Sequence, residues 1–237
     1  MTEHQDIVRT RFARTAARQA ALEERRRADL RSQVGAFASF TGDERALDVG
    51  CGTGALAFAL SPYVREVVGV DLVPELLAEG RARTALFPNV EFAEGNATQL
   101  GFETASFDLA GCLRTLHHMS EPERVIEELL RVVRPGGRLL VIDQLAYDDV
   151  ERAEALDHFE RVRDPSHTRC VTDACMRERF NQVGATVVAS RVDEEQRNLE
   201  KYLDLAGCEG AHRAEAAALA PGPMFTSLVG WYLLARP

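Results

Sequence analysis

Three glycines at alternate positions, Gly50, Gly52 and Gly54, follow the short run Ala46-Leu47-Asp48-Val49. With no side chains in the way, such a turn bends tightly and brings backbone N–H groups close to a ligand, which points to a nucleoside cofactor. Asp48, just ahead of the first glycine, sets the sign of that ligand. A carboxylate at the mouth of a phosphate cradle repels phosphate, whereas it suits a positively charged group such as a sulfonium. A second reactive pair stands in Leu116-His117-His118-Met119. Imidazole titrates in the range needed to take a proton from an acceptor, so His118, and after it His117, are candidate general bases.

The elements that must position these groups alternate along the chain. Two helices over residues 1 to 40 precede strand 46 to 49. Then come helix 54 to 60, strand 66 to 70, helix 74 to 85, strands 90 to 94 and 106 to 111, helix 121 to 133 and strand 138 to 143. Strands alternating with helices predict a parallel sheet. Ser120 with Glu123 reads as a capping box around Pro122, and Pro135-Gly136-Gly137 ends that helix. Thr172 caps a helix whose face is Met176, Phe180 and Val183 and which Gly184 closes. Strands at 185 to 192 and 227 to 235, separated by a stretch of helical character, bring the count to seven.

Composition narrows the function classes. The chain has 237 residues and a formal net charge of -9 with 28 basic residues, enough for one α/β domain with additions and a poor match for broad electrostatic binding of nucleic acid. The run Leu22-Glu23-Glu24-Arg25-Arg26-Arg27 is mixed in sign and reads as a solvated helix face. Five cysteines, at 51, 112, 170, 175 and 208, include no Cys-x-x-Cys pair and indicate neither a disulfide framework nor zinc. Cys51 and Cys112 read as small apolar fillers. The N-terminus is polar and no apolar run reaches the length of a membrane span, so a soluble cytoplasmic protein is expected. Asp143, Asp148 and Asp149 are too loosely clustered to predict a metal.

Leu47-Asp48-Val49-Gly50-Cys51-Gly52-Thr53-Gly54 resembles motif I of the class I S-adenosylmethionine-dependent methyltransferases, and the other motifs of that family follow in order. Val67-Val68-Gly69-Val70-Asp71 resembles the second strand with its acidic ribose ligand. Gly95-Asn96-Ala97 resembles the adenine-binding turn, Phe107-Asp108-Leu109 the fourth strand, and Arg131 to Leu139 the helix, turn and fifth strand. The resemblance implies a mainly parallel, doubly wound, Rossmann-like sheet of seven strands, the last antiparallel, with a helical cap. The implied domain plan is a cap at 1 to 40 and a methyltransferase domain at 41 to 237 with cap insertions at 144 to 171 and 193 to 226.

The resemblance also assigns roles. S-adenosylmethionine, and S-adenosylhomocysteine after reaction, would be held by Asp48, Gly50, Cys51, Gly52 and Gly54 of motif I. Asp71, about 20 positions after Gly50, would accept from the ribose hydroxyls. Leu72 would pack on adenine, Asn96 and Ala97 would read its edge, and Leu113 would meet the cofactor's amino group. Asn96 stands where the family usually has aspartate. Gly50-x-Gly52-x-x-Ala55 with Asp71 also satisfies a relaxed dinucleotide fingerprint, which leaves a nicotinamide oxidoreductase as an alternative. A non-catalytic cofactor-binding protein on the same fold is another.

Acceptor specificity would reside in the additions to the core. Phe159 to Arg169 resembles a segment of a bacterial subgroup near the ubiquinone and menaquinone methyltransferases, and Arg163, Asp164 and His167 are its candidate binding rim or a surface salt-bridge cluster. Phe12-Ala13-Arg14-Thr15-Ala16 resembles the subgroup's opening helix, with Gln19 where an aromatic is usual. No Asn/Asp-Pro-Pro-Tyr/Phe-type motif follows the fourth strand and no basic RNA-binding module is visible. A small-molecule acceptor and a monomer or homodimer are therefore expected, with no nucleic acid, membrane span or metal.

Overall fold

In the computed structural model, which describes residues 2–237, two helices, α1 (Glu3–Ala13) and α2 (Ala16–Phe37), precede β1 (Arg45–Val49). The chain continues through α3 (Ala55–Leu60), β2 (Glu66–Asp71), α4 (Pro74–Arg81), β3 (Val90–Glu94), β4 (Phe107–Leu113), α5 (Pro122–Val132) and β5 (Val133–Leu145). It ends with α6 (Val150–Arg163), α7 (Asp173–Gln182), β6 (Thr186–Asn198), α8 (Leu199–Ala206), α9 (Gly210–Leu219) and β7 (Met224–Ala235). All seven strands join one sheet in the order β3-β2-β1-β4-β5-β7-β6. The first five are parallel, and β7 runs antiparallel to both of its neighbours.

Side-chain alternation along β5 explains why both sheet faces carry helices. Leu139 and Val141 enter a core with Phe107, Ile126, Leu129 and Phe180, while Leu140 and Ile142 enter the opposite core with Leu56, Leu60, Val34 and Trp231. A strand that is apolar on both faces must be covered on both. Each such leucine or isoleucine contributes roughly 1.5–3 kcal/mol by leaving water. A third cluster, with Leu156, Phe159, Tyr202, Leu203 and Phe225, joins α6 and α8 over the far end of the β6–β7 ribbon.

From β1 the sheet grows outward through β2 and β3, then restarts on the other side of β1 with β4. The crevice beyond the carboxyl ends of β1 and β4 is the topological switch point where open α/β sheets bind ligands. Gly50 sits at that point with φ +64, and a Cβ there would lie 2.4 Å from Thr115 Cγ2. Both its conformation and the close packing of the loop after β4 require glycine.

Three local expectations change. The start of α5 has Glu121 at its N-cap with no side-chain cap, so Ser120 and Glu123 form no capping box. The predicted helix 74 to 85 ends at Arg81 and gives way to a separate 3-10 turn at Thr84–Leu86. Strands β6 and β7 run farther than expected, paired from Thr186↔Ala235 to Asn198↔Met224. The inward positions of β6 include Arg191, Asp193, Glu195 and Arg197, and a strand with a charged inner face carries no apolar alternation to betray it. The cap at Thr172 does form, accepting from Cys175 N–H at 3.2 Å.

Candidate active site

One cavity of about 1000 Å³ opens at the switch point, roofed by α1 and α2 and floored by β4, β5, β7 and β6. Its first wall is the glycine-rich turn. Gly52, at φ +56, donates its N–H to Asp71 Oδ2 at 2.8 Å, and Asp71 Oδ1 accepts from Val73 N–H at 2.9 Å. A Cβ on Gly52 would approach only Glu23 Oε1, at 3.9 Å, so the missing side chain leaves open space above the turn.

Glu23 is the residue that sequence reading placed wrongly. It faces inward from α2, accepts from the Thr53 hydroxyl and lines the cavity together with Arg26. Burial, followed by the hydrogen bond from Thr53, sets its pKa, which burial raises to about 7. Burial likewise raises the pKa of Asp71. An inward glutamate within a run of charges has no apolar period to mark it.

Asp48 lies behind this wall and does not line the cavity. It is fully buried, and its Oδ2 accepts from Ala57 N–H at 2.9 Å in the first turn of α3. Its Oδ1 has no partner, and burial pushes its pKa up to about 8. At neutral pH it is a neutral capping acid. The carboxyl groups that reach the cavity are those of Asp71 and Glu23 instead, and a cation bound beside them would favour their charged forms. Gly54 also lies outside the lining, as the N-cap of α3, whereas Gly50, Cys51, Gly52, Leu72, Asn96, Ala97 and Leu113 all reach it. Burial holds the Cys51 and Cys112 thiols well above their ordinary range, which fits inert fillers.

Asn96 is oriented by Thr98, whose N–H and hydroxyl donate to its Oδ1 at 3.0 and 2.9 Å. An N–H can only donate, so the atom it meets is the oxygen. The amide nitrogen is not engaged by Thr98, and the residue lines the cavity.

The second wall holds the histidines. His117 Nδ1 lies 2.5 Å from Asp143 Oδ1, and His117 N–H donates to Asp143 Oδ2 at 3.1 Å. His118 Nδ1 lies 3.1 Å from both the carbonyl and the hydroxyl oxygen of Ser166. A carboxylate and a carbonyl only accept, so each Nδ1 carries the proton and each Nε2 is the basic nitrogen. Neither Nε2 has a hydrogen-bond partner among the described residues. Burial, then the neighbouring His117, pushes His118 well below its ordinary pKa. Helix α1 closes over this loop, with His4 Nε2 2.7 Å from the His118 carbonyl and Phe12 edge-on to the His118 ring.

Arg163 and Asp164 line the cavity, but they are buried and mutually paired and form no surface cluster. Arg163 meets Glu160 at 2.7 Å, and Arg11 of α1 is ion-paired with Asp164. Against the upward push of burial, Arg11 and its neighbours hold Asp164 well below the usual carboxylate range. His167 does not reach the cavity. Its Nε2 lies 2.9 Å from Asp157 Oδ1, which also accepts from Cys170 N–H at 3.1 Å. Asp143, near the end of β5, serves His117 and Asp149 caps α6, so the two aspartates have separate tasks.

Along the ribbon, Glu195 stands among three arginines: Arg114 at 2.5 Å, Arg197 at 2.8 Å and Arg26 at 3.8 Å. Burial and the repulsion of Arg114 lower the pKa of Arg197 to about 10, so it remains charged at neutral pH. Beside this cluster the floor is apolar, formed by Ile142, Val229 and Trp231. The cavity thus has an acidic end at the glycine turn and a basic end on the β6–β7 ribbon.

Comparison with known proteins agrees with this architecture. Residues 47–141 match the family model described as "Methyltransferase domain". The uncharacterised methyltransferase YcgJ of Bacillus subtilis (strain 168) is 40% identical over 129 residues, which cover 54% of this chain and 51% of that protein. A demethylmenaquinone methyltransferase of Clavibacter sepedonicus is 39% identical over 100 residues, covering 42% of this chain and 41% of that enzyme. The matched segment thus spans about half of these curated relatives or less. In fold, the chain is similar to the crystal structure of YcgJ (TM-score 0.74, 24% identity, 88% of this chain and 98% of that one). It is also similar to a crystal structure from Bacillus halodurans C-125 (TM-score 0.79, 23% identity, 89% and 98%). The motifs, sheet order and switch-point cavity agree with these matches, and residues 47–141 are similar to that domain model.

Proposed function

We propose that this protein transfers the methyl group of S-adenosylmethionine to a small-molecule acceptor. The observation that carries the reading is the pairing, in one cavity, of a glycine turn flanked by Asp71 and Glu23 with two imidazoles whose Nε2 atoms are free. Two carboxylates beside an open glycine turn suit a cation and oppose a pyrophosphate, which argues against the dinucleotide alternative. When bound, S-adenosylmethionine supplies an electrophilic methyl that is displaced in line from its sulfonium.

In this reading the chain's own residues hold, orient and enclose. Asp71 accepts from the ribose hydroxyls, Gly50, Cys51 and Gly52 give room and backbone donors, Leu72 packs on the base, Asn96 and Ala97 contact its edge, and the Leu113 backbone receives the amino group. The helices at 3 to 37 and the insertions at 144 to 171 and 193 to 226 act as a cap that excludes water. Positioning of this kind accounts for about 7–11 kcal/mol in well-oriented reactions, against about 10²–10⁴-fold for a general base. Where the acceptor must lose a proton, His117 Nε2 takes it, because Asp143 fixes its tautomer and stabilises the imidazolium. His118, whose burial opposes protonation, positions the loop. This reverses the order read from sequence.

Calorimetric titration with S-adenosylmethionine, S-adenosylhomocysteine and NADH, on the protein and on Asp71→Ala, tests the reading. Binding of the first two, weakened by the substitution, supports it; binding of NADH alone overturns it.

A further inference from the structure

The basic end of the cavity is unused by the proposed chemistry. Three guanidinium groups face one carboxylate there: Arg26, Arg114 and Arg197 around Glu195, all of them lining the cavity. The other inward acid of this strand, Asp193, is occupied by Arg191 at 3.0 Å. Three guanidinium groups thus share one carboxylate at close range, and Arg197 is the deeply buried one among them.

Two further observations single out Arg197 and Arg114. Arg197 is 5% exposed, and its Nε donates to Ser227 Oγ at 3.0 Å. Its Nη2 lies close to Glu195 yet off the hydrogen-bond direction, and so has no hydrogen-bond partner. A buried guanidinium nitrogen left without a directed partner is costly unless a ligand completes it. Arg114 adopts φ +55, a left-handed conformation that costs a non-glycine residue on the order of 1 kcal/mol or more. That turn, pinned by Arg114 N–H donating to the Ile142 carbonyl at 2.7 Å, brings the side chain to Glu195 at the end of β4. The same cavity is lined by the apolar Ile142, Val229 and Trp231, with Ile142 joined to Arg114 through its carbonyl and Trp231 farther along the ribbon, opposite Arg191.

We propose that the methyl acceptor is an anion with an apolar body, its carboxylate or phosphate head received by Arg114 and Arg197 and its body resting on Ile142, Val229 and Trp231. Glu195 holds the two arginines apart and in place until the anion arrives. The acidic end takes the cationic cofactor and the basic end the anionic acceptor, so the wall charges orient two oppositely charged molecules toward each other. This inference rests on the methyltransferase reading.

The test uses protein saturated with S-adenosylhomocysteine, titrated with two matched pairs: 4-hydroxybenzoate against 4-hydroxybenzamide, and phenyl phosphate against phenol. The expected result is tighter binding of at least one anion over its neutral partner, by about tenfold or more. Arg197→Gln and the more exposed Arg114→Gln should each remove most of that preference. Glu195→Gln, which deletes the competing carboxylate, should strengthen anion binding. Equal binding of both members of each pair, or a preference that survives in both arginine variants, overturns the inference while leaving the cofactor reading intact. Failure of every anion to bind protein loaded with S-adenosylhomocysteine overturns it as well. Loss of S-adenosylhomocysteine binding itself would sink the methyltransferase reading and this inference together.

Discussion

His117 and Asp143, 26 residues apart in sequence, meet at 2.5 Å through Nδ1 and Oδ1, and the same carboxylate accepts the backbone N–H of His117. One side chain at the end of β5 thereby fixes both the backbone and the ring of the loop after β4. Asp143→Asn would remove the charge that supports an imidazolium while leaving the space filled. For an acceptor that must lose a proton, turnover should fall by about 100-fold with little change in cofactor affinity. Single-turnover rates across pH 5 to 9 check this. An unchanged profile would show that His117 is not the base.

Asp48 should make the folded chain less stable as pH rises. Folded, it keeps its proton to about 8; its ordinary value is 3.8. The folded state therefore binds more protons between those values, and stability falls through that window with a slope of up to about 1.4 kcal/mol per unit. Above about pH 8 the contribution levels off. Urea unfolding of the protein and of Asp48→Asn at several pH values should show a flatter dependence in the variant; identical curves would refute the assignment.

Glu23, with its pKa raised to about 7 by burial, should release a proton when a cation enters the cavity, since a nearby positive charge favours the carboxylate. The affinity for S-adenosylmethionine should accordingly rise between pH 6 and 8. Titration at pH 7 in buffers of different ionisation enthalpy measures the released proton. It should shrink in Glu23→Gln and be smaller for S-adenosylhomocysteine, which lacks the sulfonium charge.

Asn96 lines the cavity, and Thr98 occupies its amide oxygen. Asn96→Asp keeps both Thr98 contacts and adds an acceptor for an adenine amino group. Affinity for S-adenosylhomocysteine should increase several-fold, in line with about 1–3 kcal/mol for a charge-assisted bond less its desolvation. Weaker binding would mean that Asn96 does not face adenine.

Arg11 and Asp164 tie α1 to the segment after α6 as a buried ion pair. Arg11→Met leaves the buried Asp164 with only the more distant Arg163, at 3.8 Å, as a cation and should cost up to about 3–5 kcal/mol, while Arg11→Met with Asp164→Asn should recover much of that loss. A denaturation cycle over the four proteins measures the coupling.

Much of the architecture was legible in the sequence because it rests on local chemistry. Apolar runs broken by glycine, proline and capping residues marked all seven strands, and the Gly50 turn and Asp71, singled out without any knowledge of the sheet order, both line the cavity. The long ribbon was less visible, since Arg191, Asp193, Glu195 and Arg197 face inward while Val188 and Val192 are exposed, the reverse of the pattern that identifies a strand.

What only the tertiary structure decided is which side of a wall each charged group occupies. Asp48 and Glu23 are both acids, yet burial beneath α3 makes the first a cap, and the packing of α2 over Thr53 turns the second into the cavity. Arg114 and Arg197 lie far apart in the chain and converge on Glu195 only because β6 returns alongside β7. Sequence determines residue type and local spacing. Burial and long-range partners, which set charge state and hydrogen-bond direction, arise only when distant segments pack together.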